Sequence, residues 1–303
     1  MQTVGVIGLG KIGAPMAENL IKSGFRVVGF RRSPTPELES LGMVRAGSAA
    51  GVGAAADIVL SCIGSTAALD ETVSGPNGLV HSARPGQIVV ELGSYKIPDK
   101  ERQIAILAAK GATFLDGEVS GTPMMVAARK AAVYLAGDEA AAKAVEPAIK
   151  GFADSCYYFG PFGSATKVKL IINLLVAIHI AAAAEAVSLA RVAGVDMATM
   201  VQAISTGSGG SSSFAARAGW MAEHKFAPPM GTPEALQHYI VEAQEMAAEL
   251  GRATPLLDRA AELYARAAEQ GLANQDVAVM VKVLEEMPRE QQTAKKGFGF
   301  FRR

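Results

Sequence analysis

Short apolar runs alternate with alanine-rich or charged stretches through the first half of the chain. Glycine or proline residues interrupt the sequence between many of them. The runs read VGVIG, RVVGF, IVLSCIG, QIVVELG, TFLDGEV and AVYLAG. Strands that are apolar throughout and alternate with helices are typical of a parallel sheet that is covered on both faces. The pattern therefore predicts an α/β domain built on a doubly wound, largely parallel sheet.

The alternation ends near Gly160, where the segment GPFGS marks a break. The residues beyond it predict helices only, at 165–194, at 197–204 and in stretches that end at Gly251, Gly271 and Met287. A chain of 303 residues is long enough for two domains. We expect the first domain to cover residues 1–162 and an all-helical domain to cover residues 163–290. The basic and aromatic end of the chain, residues 291–303, is predicted to be a flexible tail.

The first predicted helix of the second half is unusually long and apolar. About thirty residues of helix would run about 45 Å. Its most apolar part, residues 170–184, contains Asn173 and His179, and Glu185 follows. This part is short and rich in alanine for a bilayer span, so we expect a buried helix rather than a membrane segment. An alanine-rich face of this length also suits a domain bridge or a dimer seam, and core packing explains it equally well.

The composition limits the binding partners and the cellular compartment that can be expected for this protein. Half of the residues are hydrophobic, 19% are charged, and 29 Lys and Arg balance 29 Asp and Glu. This balance argues against nucleic acid or an anionic membrane as the main partner. The two cysteines and four histidines show no metal-ligand spacing, so no metal is expected. No basic leader precedes the first apolar run, and we expect a cytoplasmic protein.

A glycine fingerprint follows the first apolar run. Gly8, Gly10 and Gly13 stand in the order G-x-G-x-x-G between a predicted strand and a predicted helix, and a second strand follows at residues 25–30. In such a turn the first glycine allows the tight bend, the second lets the backbone approach a pyrophosphate, and the third lets helix and strand pack closely. The phosphates would lie at the N-terminus of the helix. The sequence therefore predicts a Rossmann-type dinucleotide site.

The end of that second strand indicates which dinucleotide binds. An NAD site is expected to place an acidic residue about twenty residues after the glycines, where it accepts hydrogen bonds from the ribose hydroxyls. This chain has Arg31, Arg32 and Ser33 there, and its next acidic residue is Glu37. Two guanidinium groups and a hydroxyl suit a 2′-phosphate. We therefore predict NADP(H), although a solvated arginine pair would leave the same pattern.

Two polar residues interrupt the apolar helix and are candidates for catalysis. Lys169 and Asn173 are four residues apart, so they share one helix face. A desolvated lysine has a lowered pKa, as a general acid or base requires, and an asparagine can orient a substrate oxygen. Lys167 lies about 200° away around the helix and is expected to be solvated. The alternative is a lysine that snorkels at the helix start beside a satisfied amide.

Together these motifs resemble the β-hydroxyacid dehydrogenases, which include 3-hydroxyisobutyrate dehydrogenases and glyoxylate or succinic semialdehyde reductases. GLGKIGAPMAENL resembles the opening GLGxMGxxMAxNL of that family, and FLDGEVSGTP resembles its FLDAPVSGG. The resemblance implies a substrate anchor at Ser120, Gly121 and Thr122, a general acid/base at Lys169 and its partner at Asn173. It also implies a helical domain similar to that of 6-phosphogluconate dehydrogenases, and a homodimer or homotetramer.

The chain departs from the family pattern at several of these positions. Ser94 takes the place of a threonine beside the nicotinamide, and a Lys-Asp-Leu motif aligns with His238-Tyr239-Ile240. His238 is therefore assigned to the substrate site in place of the lysine. Thr122 stands where the family has glycine, and Pro123 stiffens that loop, which suggests a different acid substrate.

The sequence thus predicts an NADP(H)-dependent oxidoreductase that acts on a small β-hydroxy acid or its semialdehyde or keto acid. An imine reductase or reductive aminase of the same fold is the alternative enzyme, and a non-catalytic NADP-binding sensor is the alternative of another class. The predicted cofactor site comprises Gly8, Leu9, Gly10, Lys11, Ile12, Gly13, Arg31, Arg32, Ser33, Ile63 and Ser94.

Overall fold

One eight-stranded sheet organises the first part of the chain. This computed structural model describes residues 2–287. The strands are β1 (Thr3–Ile7), β2 (Arg26–Phe30), β3 (Val44–Arg45), β4 (Ile58–Ser61), β5 (Ile88–Glu91), β6 (Thr113–Ser120), β7 (Ala132–Ala136) and β8 (Ser155–Tyr158). Their order across the sheet is β3-β2-β1-β4-β5-β6-β7-β8. The pair β6–β7 is antiparallel and the other pairs are parallel, which confirms the predicted doubly wound, largely parallel sheet.

Helices cover both faces of this sheet, which is why its strands are apolar on both sides. They are α1 (Gly13–Lys22), α2 (Pro36–Ser40), α3 (Ala49–Ala55), α4 (Thr66–Ser74), α5 (Ile97–Ala108), α6 (Pro123–Ala127) and α7 (Glu139–Phe152). One buried cluster joins Val90 of β5 to Met16 of α1. Another joins Val89 of the same strand to Leu107 of α5. Adjacent strand residues point to opposite faces, so β5 contributes side chains to both cores.

The rest of the described chain is helical. Its helices are α8 (Ser164–Val192), α9 (Met197–Thr206), α10 (Ser212–Ala222), α11 (Pro233–Glu249), α12 (Pro255–Glu269) and α13 (Met280–Glu285). The chain divides into two compact units, and the division falls after Ile172, inside α8. The sequence had placed a domain boundary at residue 162. The predicted tail at residues 291–303 lies outside the described residues.

Two strands and one helix go beyond the elements predicted from the sequence. β3 has only two residues and β8 has the sequence SCYY, so neither presents a long apolar run. α10 begins within the segment GSGGSSS at residues 207–213, whose composition is typical of a flexible connection. Ser211 caps this helix, because its hydroxyl accepts a hydrogen bond from the Phe214 amide. Serine is a strong N-cap residue, so the composition that suggested flexibility instead starts a helix.

The long helix α8 is only partly buried. By length and composition alone it could cross a membrane, but the core helix of a soluble protein passes the same test. Only 39% of its most apolar segment of 18 residues is buried. Ala177 and Ala184 are fully buried, whereas Leu175 and Leu189 are exposed. Within residues 170–184, the expectation of a buried helix therefore holds at Ala177 and Ala184 and is wrong at Leu175.

Candidate functional site

The three fingerprint glycines occupy a tight turn between β1 and α1. Gly8 has a φ of +89°, and a Cβ there would lie 2.1 Å from the carbonyl oxygen of Cys62. A Cβ at Gly13 would lie 2.0 Å from the Gly8 carbonyl oxygen, whereas one at Gly10 would meet nothing within 4 Å. Gly8 and Gly13 are therefore required by the protein's own packing. Gly10 faces open space, which suits the close approach of a ligand.

A cleft of about 500 Å³ opens beside this turn. Its size is within the usual range for small-molecule and cofactor sites. No side chain caps the N-terminus of α1, so none competes with a phosphate for the first amide groups there. Of the residues predicted to bind the cofactor, the cleft is lined by Gly8, Leu9, Gly10, Arg31, Arg32 and Ile63. Lys11, Ile12, Gly13, Ser33 and Ser94 are outside its lining.

The two arginines lie at one side of the cleft, just beyond the end of β2. Arg31 donates a hydrogen bond from Nη1 to the Leu9 carbonyl oxygen at 3.2 Å, which holds its guanidinium beside the glycine turn. Arg32 and Ser33 are exposed. The cleft thus presents two guanidinium groups, the donors best suited to a phosphate.

Sequence reasoning missed several polar residues of the same cleft. Ser48 and Ser65 line it, and both are N-caps, of α3 and α4 respectively. A serine that follows a short apolar run and precedes a helix is a recognisable signal, and these runs end at the carboxyl edge of the parallel sheet. The further polar residues of the lining are Glu71, Thr72 and Asn77.

Lys169 lies on α8 and is anchored to the end of β6. Its Nζ donates a hydrogen bond to the Val119 carbonyl oxygen at 2.8 Å, and only 9% of the residue is exposed. Burial lowers the pKa of this lysine, and the charge of Glu118 works in the opposite direction. Lys167, two residues earlier, is exposed. The helix geometry predicted this difference in exposure between the two lysines. Lys169 has the environment that a general acid or base requires.

Asn173 lies one helical turn after Lys169 and is also buried, with 7% of the residue exposed. Its Nδ2 is fully buried and makes no hydrogen bond within the described chain. A buried amide donor normally has a partner, and leaving it unpaired costs free energy. This donor is therefore suited to a substrate oxygen.

The predicted substrate anchor follows directly after β6. Ser120 ends the strand, Gly121 is exposed, and Thr122 is the N-cap of α6, its hydroxyl accepting a hydrogen bond from the Met125 amide at 3.3 Å. Thr122 thus has a structural task in capping the helix. Ser120 is the residue after Val119, whose carbonyl oxygen binds the Lys169 ammonium, so the anchor and the lysine are neighbours in this unit.

A buried network of charges beside Lys169 was missed altogether. Lys100 of α5 donates from Nζ to Asp116 at 2.8 Å, to Glu118 at 3.1 Å and to the Thr166 hydroxyl at 3.1 Å. The Ser94 hydroxyl donates to Glu118 at 2.6 Å. This is where the structure places Ser94. Asp116 and Glu118 break the apolar run of β6 at alternate positions, which is the signal that sequence reasoning overlooked.

Burial and charge compete within this network. Burial disfavours the Lys100 ammonium, but Glu118 and Asp116 outweigh it and raise its pKa. Burial raises the pKa of Glu118 despite the opposing charge of Lys100. Burial also raises the pKa of Glu91, at the end of β5, to about 7. The site therefore holds both carboxylates and ammonium groups out of water.

His238 lies in the other unit, on α11. Its side chain is 59% exposed, and its Nε2 lies 3.4 Å from a carboxylate oxygen of Glu242, one turn further along the helix. Its ring packs against that of Tyr239, with centroids 5.7 Å apart. Within its unit, His238 is thus an exposed residue paired with a buried acid.

Both parts of the chain match models of known protein families. The family model described as the NAD binding domain of 6-phosphogluconate dehydrogenase matches residues 3–160. The family model described as NAD-binding of NADP-dependent 3-hydroxyisobutyrate dehydrogenase matches residues 163–284. The first match covers more than half of the chain, and it includes the glycine turn and the cleft. The first unit is therefore a nicotinamide dinucleotide-binding domain.

Relatives of known activity match nearly the whole chain. The 2-(hydroxymethyl)glutarate dehydrogenase of Eubacterium barkeri is 28% identical over 291 residues, which cover 94% of this chain and 95% of the relative. A solved structure of 3-hydroxyisobutyrate dehydrogenase from Salmonella typhimurium has a TM-score of 0.82 and 25% identity, and the match covers 93% of this chain and 100% of that chain.

A more distant likeness extends to another kind of enzyme. An imine reductase from Pseudomonas sp. has a TM-score of 0.61 and 18% identity, and the match covers 93% of this chain and 99% of that chain. Identity this low shows a shared fold alone.

Proposed function

Because the chain belongs to the β-hydroxyacid dehydrogenase family, we propose that it is an NADP(H)-dependent oxidoreductase that interconverts a small β-hydroxy acid and its semialdehyde or keto acid. A bound nicotinamide supplies or accepts the hydride in such chemistry. The protein then has to bind the acid, orient its oxygen and move one proton.

Lys169 is the observation that carries the proposal. Its ammonium is held at 2.8 Å on the Val119 carbonyl oxygen, next to Ser120, and burial lowers its pKa. In reduction this ammonium donates a proton to the substrate's carbonyl oxygen. In oxidation the neutral amine removes the hydroxyl proton.

Asn173 and the segment that begins at Ser120 are assigned to binding and orienting the substrate. The buried Nδ2 of Asn173 lacks a partner in the described chain, and we assign it to the reacting oxygen. Ser120 and Gly121, at the end of β6, are assigned to the carboxylate of the acid, with Thr122 holding the start of α6. His238, which stands in place of the family's lysine in the sequence, is assigned to the substrate as a hydrogen-bonding residue.

The two arginines at the cleft support NADP(H) over NAD(H). Arg31 is held beside the glycine turn and Arg32 lines the same cleft. No acidic residue occupies the end of β2 where an NAD site is expected to have one. A guanidinium pair in this position favours the additional phosphate through charge-assisted hydrogen bonds.

A substrate panel run with NADPH and with NADH tests the proposal. It contains short β-hydroxy acids, semialdehydes and keto acids, together with cyclic imines and ketone–amine pairs. We expect turnover of the hydroxy acids or their oxidised partners, with NADPH preferred. Turnover of imines alone would reverse the assignment in favour of an imine reductase or reductive aminase. NADPH binding without turnover of any compound would favour a sensor.

We further propose that the chain forms a homo-oligomer through α8. Ile171 and Val192 are 50% and 82% exposed, and Leu175 and Leu189 are 46% and 66% exposed. The members of each pair are separated by a multiple of seven residues, which is the spacing of a helix–helix seam. Leu189→Lys should therefore shift the mass measured by light scattering toward the monomer. Leu256→Lys, at a leucine of α12 that is 69% exposed, is the control and should leave the mass unchanged.

A further inference from the structure

Glu118 is a charged residue in the middle of the first unit's sheet. It lies on β6, and its side chain is 1% exposed. Alternate residues of a strand share a face, so Asp116, Glu118 and Ser120 point to the same side. The resemblance aligns Glu118 with a proline of the motif FLDAPVSGG, so this carboxylate is a feature of the present chain. Burying a carboxylate costs free energy unless it is paired. The partners of Glu118 therefore indicate why this chain keeps a carboxylate here.

The two oxygens of this carboxylate bind different partners. Oε1 accepts from Lys100 Nζ at 3.1 Å and lies 3.4 Å from the Thr166 hydroxyl. Oε2 accepts from the Ser94 hydroxyl at 2.6 Å. Lys100 is fully buried and is also bound by Asp116. Glu118 thus connects a structural ion pair on one side to a residue of the predicted cofactor site on the other.

The same carboxylate acts on the proposed proton donor. The residue after Glu118 is Val119, whose carbonyl oxygen binds Lys169 Nζ. Burial lowers the pKa of Lys169, and the opposing effect comes from the charge of Glu118. The charged groups that interact with Glu118 also include Asp116 on β6, Glu91 on β5 and Lys100 on α5, while Lys167 on α8 itself is exposed.

We propose that Glu118 is a positioning residue. Its carboxylate favours the ammonium form of Lys169 and orients the Ser94 hydroxyl, and Lys100 holds the Glu118 carboxylate in place. This inference rests on the proposed function only in giving Lys169 and Ser94 their tasks. An electrostatic effect of Glu118 on Lys169 would depend on their positions in this unit and not on the assigned reaction, so it can be measured without turnover.

The test compares Glu118→Gln with Asp116→Asn. Both changes remove one buried negative charge from the same network, and both side chains bind Lys100 and Thr166. Glu118 is the charged group that opposes the effect of burial on the pKa of Lys169. The pKa of Lys169 is measured by NMR from the pH dependence of its ¹³Cε signal in lysine-labelled protein, which is assigned by its loss in Lys169→Arg. A pH profile of kcat is recorded in parallel for each variant that turns over substrate.

We expect Glu118→Gln to lower the pKa of Lys169 by about one pH unit or more, since a nearby opposite charge has effects of that size. The same displacement should appear in the pH profile. Asp116→Asn should reduce stability and leave the pKa of Lys169 where it is in the parent protein. Glu118→Asp, which moves the charge back by one methylene, should give a smaller fall, and it serves as the test if the glutamine variant does not fold.

Equal pKa values for Lys169 in the parent protein, Glu118→Gln and Glu118→Asp would overturn the inference, as would an equal fall in Asp116→Asn. Failure of the proposed function looks different. The parent protein would turn over none of the hydroxy or keto acids, while the NMR signal of Lys169 would still respond to Glu118.

Discussion

Lys169 Nζ lies 2.8 Å from the carbonyl oxygen of Val119, so the buried ammonium of α8 is bound to the end of strand β6, one residue before Ser120. Lys167 on the same helix is exposed. The two lysines therefore form a matched pair, in which the same residue type is buried and bound to a carbonyl oxygen at one position and exposed at the other.

We expect Lys169→Ala to reduce kcat by a factor of about 10² to 10⁴, the usual contribution of general acid–base catalysis. The affinity for NADPH, measured by fluorescence titration, should change little because Lys169 lies outside the cleft lining. Lys167→Ala is the control and should retain the parent kcat. Turnover in Lys169→Ala close to that of the parent protein would remove the lysine from the mechanism.

The pH dependence of turnover should follow the ionisation of the same lysine. Burial lowers the pKa of Lys169, so the ammonium loses its proton at a lower pH than an ordinary lysine does. In reduction the ammonium is the active form, and kcat should fall as the pH rises through that pKa. In oxidation the neutral amine is active, and kcat should rise over the same interval. A flat profile in both directions up to pH 10 would contradict this assignment.

Substitutions of Gly10 and Gly13 should distinguish the effect of an added Cβ on ligand binding from its effect on the stability of the fold. Gly10→Ala places a Cβ in open space within the cleft, so its urea midpoint should equal that of the parent protein while NADPH binds at least tenfold more weakly. Gly13→Ala places its Cβ 2.0 Å from the Gly8 carbonyl oxygen. That substitution should cost about 1–3 kcal/mol of stability, as overpacking usually does. Parent-like NADPH affinity in Gly10→Ala would show that the turn binds no pyrophosphate.

Arg31→Asp should exchange the cofactor preference. It removes a guanidinium held beside the glycine turn and supplies the carboxylate that an NAD site uses. A charge-assisted hydrogen bond is worth about 1.5–3 kcal/mol, so the NADP/NAD ratio of kcat/KM should fall by about one to two orders of magnitude. Arg45→Asp, at an exposed position of β3 outside the cleft lining, is the control. An unchanged ratio in Arg31→Asp would assign the arginine to the solvated surface.

Much of this architecture can be predicted from the sequence because its signals are local. The turn at Gly8, the apolar strands and the lysine that interrupts α8 each depend on neighbours within a few residues. The helix α10 could also have been predicted, since Ser211 is an N-cap, but the glycines before it favoured a loop.

The alternating acids of β6 are a local signal, but their pairing with Lys100 could not be predicted because the partners come from distant parts of the chain. Lys100 contacts Asp116 and Thr166, which are 16 and 66 residues away. A lysine in an amphipathic helix and an acid in a strand each look like surface residues when they are considered separately. Only the crossing of α5, β6 and α8 brings them together, and no local pattern encodes that crossing.

Glu91 should make the protein less stable as the pH rises through neutrality. Its carboxyl is fully buried, one oxygen accepts a hydrogen bond from the Gly93 amide at 2.8 Å, and the Ser61 hydroxyl lies beside the carboxyl as a further donor. Burial raises its pKa to about 7 from an ordinary 4.5. The folded state therefore holds the proton more tightly than the unfolded state. The resulting stabilisation is complete below pH 4.5 and is lost as the pH rises to 7.

Glu91→Gln imitates the protonated form and should remove this dependence. At pH 5 its free energy of unfolding in urea should be close to that of the parent protein. At pH 8 the variant should be more stable by up to about 3 kcal/mol, the free energy that corresponds to a pKa difference of this size. Glu101→Gln, at an exposed position of α5, is the control and should track the parent protein at both pH values. A variant that is less stable than the parent at pH 8 would show that Glu91 folds as a carboxylate, held by the Gly93 amide and the nearby charge of Lys100.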